Sequence, residues 1–488
     1  MVQNGRDHET APLLQHRDSQ QDNQEDRELV QFTKEDSDNP RAWPKKKKLG
    51  NIAVIASMAI FSPLASSMFA PGIEKIAESL NVDKNSVIGC QTGYVVMLGI
   101  GPLITAPLSE TFGRKTLYLS CFSIFTLLQI PTALSKSLPV LIFLRTVTGF
   151  FGSVGIANGG GTISDMYDPS ERAGIFGWYL LGPLLGPTIG PLFGGIILEN
   201  LEWPWLFWIL TIASGVVVIT SFLFLHETYV PVLLARHKRD LEQNKGGKYY
   251  FEGEDDRPLA IKLVQSFKRP LRILFTQPIV LTMAAYQALI FATTYSLYTQ
   301  FQTIYGSDSY YGFGTLQVGL LYLFPGIGFL VAVLILVPRI DTIYNALTRK
   351  HNGEGKPEYR LPLANIGSVL IPISLFWFAW AVQFKLHWAI SIISTFFYGI
   401  GQVAIFNSVQ NYYIDSFEKY AASAIAAGAL FRSVVGGVVP MFTPILLDKF
   451  GVGWGMSVFA FISVLLAPSP IFFWYYGEWL RERFAIEL

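Results

Sequence analysis

Long apolar stretches dominate the chain, and its charged residues are concentrated in the segments between them. About 20 apolar residues suffice for an α-helix to cross a hydrocarbon core roughly 30 Å thick. Twelve stretches have this length, and we number them span 1 to span 12. Their predicted ranges are 49–70, 88–108, 116–135, 138–164, 173–198, 205–225, 278–301, 315–337, 362–382, 387–412, 420–447 and 454–476. The pattern predicts an all-α integral membrane protein with twelve transmembrane helices.

Composition agrees with this prediction. Of the 488 residues, 51% are hydrophobic and only 15% are charged, which is too apolar for an ordinary soluble domain. The N-terminal segment, the C-terminal tail and the even-to-odd connections hold 30 Lys or Arg, whereas the opposite loops hold five. Because cytosolic loops are enriched in positive charge, both termini are expected in the cytosol. The net charge of +1 and this distribution give no support for a nucleic-acid partner.

The spans group into two halves separated by one long polar segment. We predict a disordered cytosolic segment at 1–44 and an N-terminal six-helix half at 45–226. A cytosolic linker follows at 227–277, with ten Lys or Arg. The C-terminal six-helix half covers 278–477, and a cytosolic tail covers 478–488.

Motifs for enzymatic chemistry are absent from the sequence. It contains no phosphate-binding Gly-x4-Gly-Lys loop, no His-Glu-x2-His and no Cys-x2-Cys. Its two cysteines, Cys90 and Cys121, fall inside spans, and its six histidines fall in loops, tails or span ends. We therefore expect no cofactor, no metal site and no enzymatic activity.

Span 5 contains "GPLLGPTIGP", which has three Gly and three Pro in ten residues. Such a stretch would break a helix in water. In lipid, small residues let helices approach closely, and neighbouring helices satisfy carbonyl groups that Pro leaves free. The stretch therefore predicts a closely packed, deformable helix.

These residues resemble the fifth-helix antiporter motif of the major facilitator superfamily, which is the signature of its drug and proton antiporters. The matching positions are Gly182, Pro183, Gly186, Pro187, Gly190, Pro191, Gly194 and Gly195. "APLSETFGRK" (106–115) resembles the superfamily's signature loop, with Glu110 at the acidic position and Gly113, Arg114 and Lys115 at its end. "RTVTG" (145–149) is similar to the Arg motif of helix four.

Three further motifs resemble the fungal twelve-span branch of the drug:proton antiporters. They are "NPRAW" (39–43), "GGGTISDMYDPSERA" (159–173) and "ETYVPVLL" (227–234). The resemblance covers roughly residues 39 to 480. Departures from the motifs are Ala106, Thr111 and Thr148, and the second half has only "PRID" (338–341) in place of the signature loop.

The resemblance implies a gate at the cytosolic ends of the spans. Its residues would be Glu110, Gly113, Arg114, Lys115, Asp165 and Arg172. Glu110 is expected beside a helix N-terminus, and Arg114 is expected to pair with Asp165. The alternative is that these are ordinary interface charges that set topology.

Arg145 and Arg432 are the two basic residues inside spans. By resemblance, Arg145 would lie near the proton pathway. An intramembrane arginine is usually functional, although one near the membrane surface can extend its side chain to water instead. Arg432, with the Gly-Gly-Pro positions after it, matches span 5 weakly, and the ends of spans 4 and 10 match at an offset near 250 residues. Two such repeats imply alternating access between the halves.

A substrate cavity is expected near mid-membrane between the halves. The polar and aromatic candidates are Gln91, Tyr94, Asn158, Tyr179, Tyr286, Gln287, Gln317, Asn407, Gln410 and Arg432. Each alone is more often a helix-helix contact than a ligand contact. No predicted span has a central Asp or Glu, so a cationic substrate would lack a buried counter-ion. Neutral or anionic amphiphiles fit better.

The sequence thus favours a monomeric exporter of a small organic compound, such as a secondary metabolite, toxin or drug. Proton antiport is implied by the resemblance alone. The plasma membrane is the expected location, with the vacuole or another endomembrane as alternatives. Two other functions stay open. The protein could import or equilibrate an organic acid or polyamine, or it could be a membrane sensor that binds its ligand without moving it.

Overall fold

The computed structural model describes residues 27–32, 36, 38–167, 169–246, 248–251, 257–307, 310–351, 353, 355–417 and 421–484. For residues 27 and 248 and for 169–174, 176, 177, 180, 181 and 184, only the backbone is described. Ten helical stretches in this part of the chain are long and apolar enough to cross a membrane.

The first half contains spans 1 to 6. Their bounds are Lys45–Ser67, Lys84–Phe112, Arg114–Ala133, Leu138–Gly152 with Val154–Met166, Pro169–Asn200 and Pro204–Phe224. Most of these helices extend beyond the predicted apolar stretch into polar sequence, because backbone hydrogen bonding continues until a cap ends it. At the start of span 2, for example, the Asp83 carboxylate accepts a hydrogen bond from the amide of Asn85 at 2.9 Å.

The second half contains spans 7 to 12. The first four are Pro278–Tyr305, Thr315–Leu321 with Leu323–Ile335, Pro362–Gln383 and Trp388–Ser416. The helix Ala421–Leu466 is too long for one crossing and breaks at Gly451, where φ is 72° and ψ is 169°. Span 11 lies before this break, and span 12 comprises the remainder together with Ser469–Arg483. A positive φ is accessible to glycine at little cost, so the chain reverses there.

Shorter elements connect the spans. The linker forms helices Val230–Lys245 and Leu259–Thr276, and a further helix, Val337–Lys350, follows span 8. A 3-10 turn, Pro357–Arg360, precedes span 9, while a short helix, Ile73–Leu80, follows span 1. We call the end of the bundle that carries the linker the linker face, and the opposite end the loop face.

Each half has its own hydrophobic core. One buried cluster draws on residues between Trp43 and Leu225. The other, apart from Ala70, draws on residues between Ile273 and Leu480. The two halves therefore pack as separate units that meet along a shared interface.

The N-terminal segment, predicted as disordered over 1–44, contains ordered backbone in its described part. Strand Arg27–Leu29 pairs in parallel with Lys248–Tyr250 of the linker. Buried Val30 packs with Leu234, Tyr249 and Phe251 of the linker. Burying these apolar side chains together offsets the entropy lost on ordering the segment. The prediction of disorder is therefore wrong for this strand, and residues 1–26 lie outside the described part.

Hydrogen bonds between the two halves lie toward the loop face among the described residues. Ser66 donates to the Tyr295 hydroxyl at 3.4 Å, and Thr303 donates to Glu74 at 3.3 Å. At mid-depth, a Cβ atom at Gly99 of span 2 would lie 2.3 Å from the Cβ of Ser433 of span 11. The halves are thus held together from the loop face to the middle of the bundle.

Candidate functional site

A carboxylate caps the N-terminus of span 3 at the linker face. Glu227 accepts hydrogen bonds from the backbone amides of Arg114 at 2.8 Å and Lys115 at 3.1 Å. The amides of Thr228 and Tyr229 also donate to it, each at 3.0 Å. Free amides and the helix dipole make a helix N-terminus favourable for negative charge. Glu227 therefore ties the start of span 3 to the segment after span 6.

Gly113 makes this arrangement possible. It joins spans 2 and 3 with φ at 96°, and a Cβ there would lie 2.3 Å from Oε2 of Glu227. Glu110, which we expected beside the helix N-terminus, is exposed in the last turn of span 2. That expectation is wrong because the return of the chain after span 6 places Glu227 there.

The expected pair between Arg114 and Asp165 is present. Nε of Arg114 donates to Oδ2 of Asp165 at 3.3 Å, and the arginine is only 6% exposed. Nη1 of Arg114 also donates to the Ser109 hydroxyl, and Thr228 donates to Asp165 at 3.3 Å. The Ser109 hydroxyl in turn donates to Oδ1 of Asn158 at 2.9 Å. One connected network thus links spans 2, 3 and 4 at the linker face.

The two remaining members of the predicted gate contribute less to this network. Lys115 takes part through its backbone amide, and its side chain is half-buried. The side chain of Arg172 lies outside the described residues.

A second network occupies the matching place in the C-terminal half. Nε of Arg360 donates to Asp415 at 2.7 Å, and Nη1 donates to Asp341 at 2.6 Å. Asp341 belongs to "PRID", and Asp415 lies 250 residues after Asp165. Arg360 is not among the residues predicted from the sequence, although its offset of 246 residues from Arg114 was a signal.

Arg145 lies fully inside the N-terminal half. Its exposure is 0%, and Nη2 donates to the Ala65 carbonyl at 3.1 Å. The guanidinium lies over the Tyr94 ring at 4.3 Å and the Phe69 ring at 5.1 Å. Nε and Nη1 have no hydrogen-bond partner among the described residues. A side chain extended to the membrane surface would be exposed, so this geometry argues against that alternative.

The span 5 motif packs against span 1. A Cβ at Gly186 would lie 2.9 Å from Pro63, and one at Gly190 would lie 2.0 Å from the Ser67 hydroxyl. That hydroxyl donates to the Gly186 carbonyl at 3.2 Å. The glycines thus allow the close approach that was expected of them.

Four of the ten predicted cavity residues form hydrogen bonds or pack within a single half of the protein. Tyr94 donates to the Ser62 carbonyl at 2.9 Å, Tyr179 donates to the Gly155 carbonyl, and Asn158 belongs to the linker-face network. Tyr286 is fully buried in the C-terminal core. These side chains serve helix packing, as polar residues inside membrane proteins often do.

Gln317 lies at the end of a helix and not at mid-membrane. It is exposed near the start of span 8, where its side-chain oxygen accepts from the Gly314 amide at 3.0 Å. The predicted mid-membrane position is therefore wrong, because Gln317 caps the helix instead.

Five candidates are left, and several of them lack partners. Gln91 and Gln287 are buried, and both amide atoms of each have no hydrogen-bond partner among the described residues. Gln410 is half-buried, and Asn407 accepts from Asn411 at 2.7 Å. The guanidinium of Arg432 lies 5.6 Å from the ring of Phe291 and 5.5 Å from the ring of Phe406. These groups can offer hydrogen bonds to a ligand.

Comparison with known proteins identifies the family. The model of the Major Facilitator Superfamily matches residues 55–440, which is more than half of the chain. The chain belongs to this superfamily. It is accordingly a transporter, and the predicted all-α fold with twelve transmembrane helices in two halves is confirmed.

Fungal members of the superfamily are similar over nearly the whole chain. The MFS-type transporter tndD of Aspergillus flavipes is 38% identical, covering 92% of this chain and 84% of the relative. The efflux pump radE of Floropilus chiversii is 36% identical, covering 93% and 85%. The efflux pump vrtL of Penicillium aethiopicum is 35% identical, covering 91% and 88%.

Solved superfamily structures share the fold of this transporter. The inward open xylose transporter XylE of E. coli superposes with a TM-score of 0.63 at 13% identity, covering 88% of this chain and 96% of that one. The human organic anion transporter MFSD10 gives a TM-score of 0.57 at 15% identity, covering 88% and 100%. At such identities the likeness concerns the fold alone.

Proposed function

We propose that this transporter exports a small neutral or anionic amphipathic organic compound by proton antiport through alternating access. The linker face and both termini would lie in the cytosol of a fungal-type cell, with the chain in the plasma membrane. The observation that carries the proposal is the placement of charge. Each half has an arginine-carboxylate network at the linker face, while the halves hold together toward the loop face.

This placement suits a protein with two states. Closing the linker face would bring the two networks toward each other and rearrange their ion pairs. Opening it would separate the two networks. Ion pairs that differ between two states bias the populations, and a bias of a few kcal/mol is enough to decide which state dominates.

The names of two relatives support export as the direction of transport. Two proteins named efflux pumps are 35% and 36% identical to this chain over most of its length. Export is the direction that those names support, and the orientation of the basic loops agrees with a cytosolic linker face.

The substrate class follows from the charge inside the spans. The predicted centres of the spans contain Arg432 but no Asp or Glu. A buried cation without a counter-ion is strongly disfavoured, whereas a neutral compound meets no such cost and an anion can pair with Arg432. The coupling candidate is Arg145, the intramembrane arginine enclosed by aromatic rings.

The test is accumulation in inside-out vesicles that hold the purified protein, with and without an acid-inside pH gradient. Fluorescent neutral and anionic amphiphiles serve as substrates. We expect accumulation above equilibrium only with the gradient, and its loss in Arg145→Ala. Arg349→Gln, an exposed change in the helix after span 8 and outside both networks, is the matched control. Equilibration without accumulation would show a facilitator, and binding without movement would show a sensor; either overturns the proposal.

A further inference from the structure

We infer that Arg432 is the binding site for a carboxylate group of the transported compound. The inference rests on the proposed function, because it specifies which anionic substrates the cavity takes. It assigns to span 11 an anion-binding group whose partner is the substrate and not a residue of the protein.

Arg432 points into the bundle. It shares one face of span 11 with Gly436 and Pro440, since residues four apart in a helix lie on the same side. This face contacts span 7, where Phe291 lies beside Gly436. Exposed Val438 and Phe442 mark a different, lipid-facing side of the helix.

Aromatic rings from two other spans hold the guanidinium. It lies 5.6 Å from the ring of Phe291 on span 7 and 5.5 Å from the ring of Phe406 on span 10. The two rings are 6.0 Å apart. A Cβ at Gly436 would come within 2.9 Å of Phe291, so the absence of a side chain there keeps this ring in place. The rings fix the guanidinium by cation–π attraction without consuming its hydrogen-bond donors.

The donors of Arg432 are left open. Its Nε and Nη1 atoms are buried and have no hydrogen-bond partner among the described residues, while the side chain as a whole is only half-buried. A buried donor without a partner costs roughly 1–3 kcal/mol, and more if it is charged. A carboxylate matches the planar guanidinium with two parallel hydrogen bonds, so it is the ligand that best removes this cost.

A further open polar group lies about one helical turn away on span 7. A Cβ at Gly428 would lie 3.3 Å from Oε1 of Gln287, and Gly428 precedes Arg432 by four residues. Both amide atoms of Gln287 lack partners among the described residues. The amide can donate to a bound carboxylate, and the rings of Phe291 and Phe406 can contact the apolar part of the same molecule. The site therefore fits an apolar or aromatic carboxylic acid.

Arg145 does not offer an equivalent site. Its side chain is 0% exposed, and one of its donors is already bonded to the Ala65 carbonyl. A substrate would have to open the N-terminal core to reach it. Arg432 borders the interface between the halves, because its neighbour Ser433 contacts Gly99 of span 2.

The test uses a matched pair of fluorescent compounds, 1-pyrenebutyrate and the neutral 1-pyrenebutanol, with the purified full-length chain in nanodiscs. We expect the acid to bind at least tenfold more tightly than the alcohol. Arg432→Gln is expected to remove this preference and leave the affinity for the alcohol unchanged. Arg432→Lys is expected to keep part of the preference for the acid, since lysine has the positive charge but lacks the planar guanidinium group. Arg349→Gln, at an exposed position, serves as the control.

A second variant guards against a folding defect in the first. Gln287→Glu places a carboxylate about one helical turn from Arg432, so it should compete for the guanidinium and weaken binding of the acid at least tenfold while the alcohol still binds. Equal affinities for acid and alcohol in the unchanged protein would overturn the inference. Equal losses for both compounds in both variants would also overturn it, because they would indicate a structural role.

Failure of the inference can be told apart from failure of the proposed export. Vesicle accumulation of the alcohol tests export without using Arg432. If the alcohol accumulates but acid preference is absent, export stands and the carboxylate site is wrong. If Arg432-dependent acid preference is measured but nothing accumulates, the site stands and proton-driven export is wrong.

Discussion

Four arginines of this transporter form two pairs that differ in depth and in partners. Arg114 and Arg360, at the linker face, hydrogen-bond to the carboxylates of Asp165, Asp341 and Asp415 at 2.6–3.3 Å. Arg145 and Arg432, within the spans, contact aromatic rings at 4.3–5.7 Å, and each has two nitrogens without a hydrogen-bond partner among the described residues.

Under the proposed function, this difference suits the two pairs to different roles. A carboxylate near water compensates an arginine and can exchange partners when the halves move. In the membrane interior a carboxylate would have to be desolvated as well, whereas a ring holds the cation by its quadrupole and stays uncharged. The linker-face pairs are thus suited to gating, and the interior pair keeps positive charge available for protons or substrate.

The largest effect is expected from Arg114→Gln. Removing one partner of a buried ion pair leaves the other charge uncompensated, at a cost of about 3–5 kcal/mol. We expect a clear drop in thermal stability in detergent and at least a tenfold loss of vesicle transport. Arg432→Gln is the comparison, and it should be neutral or stabilising because it removes a buried charge that has no carboxylate partner. Equal destabilisation by both changes would abolish the distinction between the two pairs.

A smaller effect is expected from Glu227→Gln. The neutral amide keeps the shape but loses the charge that four backbone amides stabilise, and hydrogen bonds to charged groups contribute about 1.5–3 kcal/mol. Glu110→Gln, at an exposed position, should change stability by no more than about 0.5 kcal/mol. Thermal unfolding of both variants under one condition checks this. A larger loss of stability for Glu110→Gln than for Glu227→Gln would show that Glu110, the residue expected from the motif, caps span 3.

The smallest effect is expected from Asp341→Asn. The Asp341 side chain is 73% exposed, and exposed ion pairs contribute about 0–1 kcal/mol. We expect the free energy of unfolding to fall by less than about 1 kcal/mol. The difference from the unchanged protein should be smaller at high salt, because screening weakens the ion pair. Thermal unfolding at low and high salt measures both. A loss as large as that of Arg114→Gln would mean that the second network equals the first in strength.

Local patterns were sufficient for the membrane architecture. Apolar length places the spans to within a few residues, and the basic loops predict the side on which the linker lies. The Arg114–Asp165 pair was expected because two short motifs, 106–115 and 159–173, resemble those of the family. These features depend on neighbours in sequence or on repeated motifs, so they can be predicted without the tertiary fold.

Contacts between distant segments could not be predicted in this way. Glu227 replaces Glu110 at the helix N-terminus because the chain returns there after span 6, 113 residues away from Arg114. Arg360 meets Asp341 and Asp415 only when spans 8 to 10 pack together. Tyr94 and Tyr286 proved to be core residues, because the rotation of each helix about its axis turns the side chain into the core of its own half. Sequence spacing alone does not set that rotation.

The sequence by itself determined the class of protein, the number of spans and the absence of a central carboxylate, because the bilayer imposes length and charge rules on each segment separately. The tertiary structure alone decided which arginines are paired and which keep open donors. That outcome depends on which side chains from different spans reach the same depth and face. Hydrogen bonds require a separation of about 3 Å, and only the packing of the whole bundle sets distances at that scale.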